Sequence, residues 1–152
     1  MRKIPTKNYF IALVISIATV ALVFCLMKIY NGRNVKLDFL TEITEADLDY
    51  YIAENNDVLI YMTSGKTTKN IDKEFKKYLK NKEIKNSILY INLNDVSDKF
   101  ENNFNKKYVL SSKIEIVDPI MVSIENGVLE DSISKIEEFD DIKHFIERSN
   151  VK

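Results

Sequence analysis

From Tyr9 to Met27 the chain runs nineteen residues without a charge, broken only by Ser16 and Thr19. As a helix this run would be roughly 28 Å long, about the thickness of a bilayer's hydrocarbon core. Nothing else in the 152 residues constrains the fold so strongly, because a soluble domain of this size seldom buries a helix that is apolar on every face. Both hydroxyls can bond back to helix carbonyls, so neither breaks the run. A cleavable signal peptide also begins with basic residues before an apolar stretch, but its apolar region is normally shorter, and no small-x-small cleavage site follows here. Phe24, before Cys25, is too large for a bacterial lipoprotein site. The segment reads as a transmembrane helix over residues 9–30, bracketed by Tyr9 and Tyr30, behind a basic tail over residues 1–8.

Arg2, Lys3 and Lys7 precede the run while Lys28, Arg33 and Lys36 follow it, so the positive-inside comparison is nearly balanced. A short basic tail is easily retained while the rest is exported. This favours a single-pass protein of the cell membrane, its amino terminus cytoplasmic and its carboxy-terminal domain outside, with the inverted arrangement as the alternative. All 23 acidic residues lie after Tyr30; four of the 22 basic residues lie before Asn31, leaving 18 against 23 and a net of −5. That balance argues against a nucleic-acid partner, which needs a basic face to displace phosphate counterions. With one cysteine and one histidine, an intramolecular disulfide, a Cys-x-x-Cys pair and most metal sites are excluded, and neither metal nor cofactor is expected. His144, beside Lys143 and far from any other such ligand in the sequence, reads as a surface or partly packed residue. The abundance of Lys, Asn and Ile fits an AT-rich Gram-positive bacterium.

Asn31-Gly32-Arg33-Asn34 forms a polar linker over 31–34, and one domain fills 35–152. Val35 to Leu40 suits a first strand. Thr44-Glu-Ala-Asp47 suits a helix start, with Leu48, Tyr51 and Ile52 inward and an end near Asn55. Val58 to Met62 is the continuous apolar run of a strand covered on both faces. After a polar loop from Thr63 to Thr68, residues 69–81 carry Ile71, Phe75, Tyr78 and Leu79 on one helical face. Lysines 66, 69, 73, 76, 77, 80 and 82 make that helix basic, and Asp72, Glu74 and Glu83 dilute the charge, which suits a solvated face better than a lipid-headgroup patch. Ser87 to Leu93 reads as a strand, and Asp95 to Tyr108 as a helix with Val96, Phe100 and Phe104 spaced by four. Ile120 to Ile124 and Val128 to Ile133 flank Asn126-Gly127, whose residues supply the positive φ angles of a tight hairpin. Phe139 to Arg148 closes the chain as a helix. Glu137-Glu138 and Asp140-Asp141 complement its dipole and are not a catalytic dyad, since adjacent side chains diverge. Tyr50, Tyr51, Tyr61, Tyr78, Tyr90 and Tyr108 fall at core-compatible positions.

The resulting β-α-β-α-β-α-β-β-α order, with a proline just before the hairpin, resembles the thioredoxin superfamily over about Val35 to Arg148. The resemblance implies an α/β fold, a mixed central sheet flanked by helices. It aligns Gly65-Lys66-Thr67-Thr68-Lys69 with that family's Cys-x-x-Cys-Lys, so that Gly65 and Thr68 stand where the cysteines would be. It aligns Pro119, in Val117-Asp118-Pro119-Ile120-Met121, with the family's cis proline facing the active loop. Thiol exchange needs a thiolate, and neither a glycine nor a threonine provides one.

The resemblance therefore implies a redox-inactive module, not an enzyme, that binds protein or peptide in a groove at Asp118 and Pro119 as an accessory to an envelope, transport or secretion system. The alternatives are residual or partner-dependent oxidoreductase activity and a structural partner acting within the membrane. Ser64-Gly65-Lys66-Thr67 also resembles the end of a phosphate-binding P-loop, but the first glycine position is Ile60, within a strand. Amides at the helix start, with Lys66, could instead attract one carboxylate or phosphate; the simpler reading is a solvated turn in which Thr68 caps the helix.

Overall fold

The computed structural model describes residues 13–23, 37–80 and 88–149. The basic tail, the linker and half of the 9–30 segment lie outside these residues. Residues 13–23 form a helix, α1, with every side chain exposed, although it includes Leu13, Ile17, Leu22 and Val23. Thr19 donates its hydroxyl to the Ile15 carbonyl at 2.9 Å, the back-bonding its position allows. Among the described residues no helix is long and apolar enough to cross a membrane. The chain divides into two compact units, Met1–Val35 and Lys36–Lys152, and the second carries the sheet.

In that second unit the elements run β1 (Thr41–Glu42), α2 (Leu48–Glu54), β2 (Asp57–Thr63), α3 (Lys69–Leu79), β3 (Ile88–Asn92), α4 (Phe100–Tyr108), β4 (Ile120–Glu125), β5 (Val128–Ser134) and α5 (Phe139–Arg148). They build a five-stranded sheet in the order β1-β3-β2-β4-β5. β2 and β3 run parallel, as do β3 and β1, while β4 is antiparallel to both β2 and β5. The order of elements and the α/β class agree with the sequence expectation.

Central β2 is buried from Val58 through Thr63, because helices cover both faces of the sheet. Val58, Ile60 and Met62 pack with Leu48 and Ile52 of α2 and with Phe100 and Phe104 of α4. Tyr61, on the opposite face, meets Phe75 of α3 edge-on at 5.6 Å, and Phe139 of α5 lies 6.2 Å from Phe75. Ile71, Phe75 and Leu79 are buried as their spacing requires. At the hairpin, Asn126 and Gly127 adopt φ of 50° and 78°, the left-handed pair of a tight two-residue turn.

Four local expectations are corrected. Residues 37–40 form a turn closed by the Leu40 amide on the Leu37 carbonyl at 3.2 Å, and only Thr41–Glu42 are strand. Leu37, Phe39 and Leu40 are all buried, a pattern no period-two strand satisfies. Helix α2 begins at Leu48 because Asp47 accepts the Thr44 hydroxyl at 2.6 Å and holds Thr44 to Asp47 as a separate turn. Helix α4 begins at Phe100, five residues after Asp95. Asn92 and Asp95 bond one another locally, and the amide and hydroxyl of Ser97 both go to Glu45, at 2.9 and 3.0 Å, which diverts the backbone from a helix. Tyr50 is 63% exposed and no part of the core.

Candidate functional site

Antiparallel pairing sets Met62 opposite Ile120. Two more residues of the same register bring Ser64, just past β2, opposite Asp118, just before β4. The Asp118 carboxylate fills that position with acceptors: it takes the Thr63 hydroxyl at 2.8 Å, the Ser64 amide at 3.1 Å and the Ser64 hydroxyl in a short contact. Asn94, beyond β3, donates to the Ser64 carbonyl at 3.0 Å. The Asp118–Pro119 peptide bond is cis, and Pro119 is buried. The structure thus brings the 64–68 loop and the Asp118-Pro119 pair together.

Within the loop, Gly65 is buried at φ 70°, a backbone state that glycine enters without penalty, and its amide donates to the Thr63 hydroxyl at 2.9 Å. The Lys66 amide reaches the Ser64 hydroxyl at 3.4 Å. Lys66 and Thr67 are exposed, whereas Thr68 is fully buried. The amides of Ser64, Gly65 and Lys66 therefore all point to partners inside the chain. A phosphate cradle needs such amides free, and Ile60 is deep in β2, so the P-loop resemblance stops at the letters.

Thr68 does not cap α3, contrary to the simplest sequence reading. Its hydroxyl donates to Asp72, one turn into the helix, at 2.7 Å, and lies 3.4 Å from the Thr63 hydroxyl. Thr68 directs its proton to Asp72 and Thr63 directs its proton to Asp118, so two carboxylates flank a pair of threonines beneath the loop. Tyr61 also donates to Asp72, at 3.0 Å. Burial raises the Asp72 carboxyl above the ordinary range, against the pull of the bonds from Thr68 and Tyr61. The Tyr61 phenol is raised far above its usual value by burial first and by the Asp72 charge second. Tyr90 adds a bond to the Thr63 carbonyl at 3.3 Å, and burial raises its phenol too.

Sequence reasoning missed Asp72, reading it as a surface charge that diluted the lysines. It is 6% exposed, and two signals were available: it lies four residues after Thr68, and it shares a helical stripe with Phe75 and Leu79. Asn94 and the role of Ser64 had no local signal. Among the described residues no group of three or more His, Cys, Asp or Glu side chains could hold a metal ion. A cleft of about 440 Å³ between α2 and α4 has walls already paired: Asp49 contacts both Lys107 and Tyr108, and Glu45 holds Ser97.

No protein-family model matches the sequence, and no curated protein is detectably similar to it. Solved structures do match the coordinates. Thioredoxin of Fasciola hepatica superposes with a TM-score of 0.54 over 73% of this chain and 100% of its own, at 17% identity. The reduced thioredoxin pre-protein of Schistosoma mansoni gives 0.54 over 72% and 97%, at 15% identity. The domain has the thioredoxin fold. Thioredoxin f2 of Chlamydomonas reinhardtii is equally similar, with a TM-score of 0.54 over 72% of this chain and 94% of its own, at 15% identity. Likeness at such identities is a likeness of fold alone, and what the site does rests on its own residues.

Proposed function

We propose that this chain is a membrane-anchored, redox-inactive thioredoxin-fold module that binds protein or peptide across the 64–68 loop and the Asp118-Pro119 pair. The observation that carries this reading is the lock between them: Asp118 and Thr63 engage the Ser64 and Gly65 backbone, so the loop is held without any sulfur and presents only Lys66 and Thr67 to solvent. The single cysteine, Cys25, lies in the apolar run, so the domain has no thiolate with which to attack a disulfide. Beside the loop, the segment entering Pro119 is braced by α4. Asn105 accepts from the Ile114 amide at 2.7 Å and donates to the Ile114 carbonyl at 2.8 Å, and Glu101 accepts from the Ile116 amide at 3.0 Å. A braced segment beside a fixed loop loses little freedom when an extended polypeptide docks on it.

The anchor is the 9–30 segment, supported by the nineteen uncharged residues from Tyr9 to Met27 and by the exposure of residues 13–23, whose apolar side chains have no cover in water. A photo-crosslinking group placed at Lys66 in the full chain should capture a set of proteins absent when the group sits at Lys143, and Asp118→Ala should abolish that capture. Equal labelling from the two positions would sink the groove reading. The full chain should also reduce insulin disulfides no faster than buffer, and robust turnover would end the redox-inactive assignment.

A further inference from the structure

We propose that the outer face of α3 is a docking surface for anionic lipid headgroups, which holds the domain against the membrane that anchors it; this rests on the anchor assigned above. Lys69, Lys73, Lys76, Lys77 and Lys80 repeat at the spacing of a single helical stripe, and all five are exposed. Of the acidic residues that would dilute them in the sequence, the two within α3 are sorted away by the fold, and Glu83 lies outside the described residues. Asp72 is buried beneath the loop, and Glu74 turns to another cleft, where it meets Glu137, Glu138 and Asp140 near the start of α5. Among the described residues the one carboxylate ion-paired with the stripe is Asp38, 2.7 Å from Lys76, and none is within ion-pair distance of Lys73, Lys77 or Lys80.

The charges surround a cleft of about 390 Å³ lined by Phe39, Lys73, Lys76, Lys77, Leu79 and Lys80, with the Lys76 ammonium 6.0 Å from the Phe39 ring. Four lysines lining one cleft fit the phosphate of a lipid headgroup, since lysine stems cover apolar surface while their heads stay at the interface. Chain length selects this occupant over an acidic protein. Leu37, where the described domain begins, is seven residues past Tyr30, so covalent reach alone keeps Phe39 within roughly 30 Å of the end of the apolar run. A surface tethered that closely meets lipid headgroups at high local concentration.

Lysine footprinting with an amine-reactive ester tests this on the full chain reconstituted in nanodiscs. In discs containing phosphatidylglycerol, Lys73, Lys76, Lys77 and Lys80 should react several-fold more slowly than in discs of phosphatidylcholine alone, while Lys107 and Lys135 react equally in both. Raising the salt to molar strength should erase the difference without releasing the chain. Combining Lys73→Gln, Lys77→Gln and Lys80→Gln should remove the protection of Lys76, since each lysine contributes about fivefold to surface partition. Equal reactivity of the stripe in both discs, with the chain inserted, would overturn the docking face and leave the anchor standing. A chain that stays soluble and never enters the discs would overturn both. Protection by added polyglutamate but not by anionic lipid would assign the face to an acidic protein and likewise overturn the proposal.

Discussion

Asp72 is the residue whose chemistry differs most from its place in the sequence. Its carboxyl is raised by burial, so the folded chain binds the Asp72 proton more tightly than the unfolded chain does. The stability it contributes is present below its unfolded value of about 3.8 and is lost as pH rises through the folded value. Glu45, lowered mainly by the Ser97 amide, and Asp49, lowered mainly by Lys107, act in the opposite sense and lose their contribution as pH falls. Asp72→Asn should therefore remove a decline in stability that sets in as pH rises above about 3.8, while leaving the acid limb in place. Urea unfolding of both proteins at a series of pH values reads this as a difference curve. A flat difference would mean that Asp72 titrates alike in both states. Sequence periodicity could place Asp72 on α3, but its burial depends on Tyr61, eleven residues earlier, and on a loop that turns Thr68 inward.

Among the elements, the β4–β5 hairpin was the most legible, since Asn126-Gly127 names its own turn. Gly127 holds φ 78°, and a Cβ there would meet nothing within 4 Å, so the cost of a side chain is backbone conformation alone. Gly127→Ala should destabilise the domain by about 1–2 kcal/mol, measured by chemical denaturation, with the hairpin register unchanged. A loss several times larger would show that the turn tolerates no side chain for a reason other than its φ. Strand β2 and helices α3 and α5 were legible for a related reason: the apolar residues of the helices recur every three to four positions, and the apolar run of β2 is short and bounded by polar turns. The short β1 and the late start of α4 were not. The start of α4 is decided by a side chain that captures backbone from a distance, as Glu45 captures Ser97 across 52 residues, and β1 is shortened by the turn over residues 37–40 that buries Leu37, Phe39 and Leu40.

At the scale of the whole molecule, the proposed division of labour separates anchor from binding site. Replacing residues 9–30 with an unrelated apolar span of equal length should leave capture from Lys66 intact, whereas a structural role within the bilayer would lose it. Protease added to intact spheroplasts should degrade the domain, and protection until lysis would place it on the cytoplasmic side.

Local pattern was enough to read the order of elements, the hairpin turn, the apolar run and the missing sulfur, because each is written in neighbouring residues through helical or strand period, turn chemistry or the presence of a functional group. Tertiary structure alone decided that Asp118 clasps Ser64 across 54 residues, that Tyr61 meets Asp72, and that Glu74 and the lysines of α3 line different clefts. Those outcomes depend on strand register and on which side of a helix meets the sheet, and both are settled only when distant segments pack.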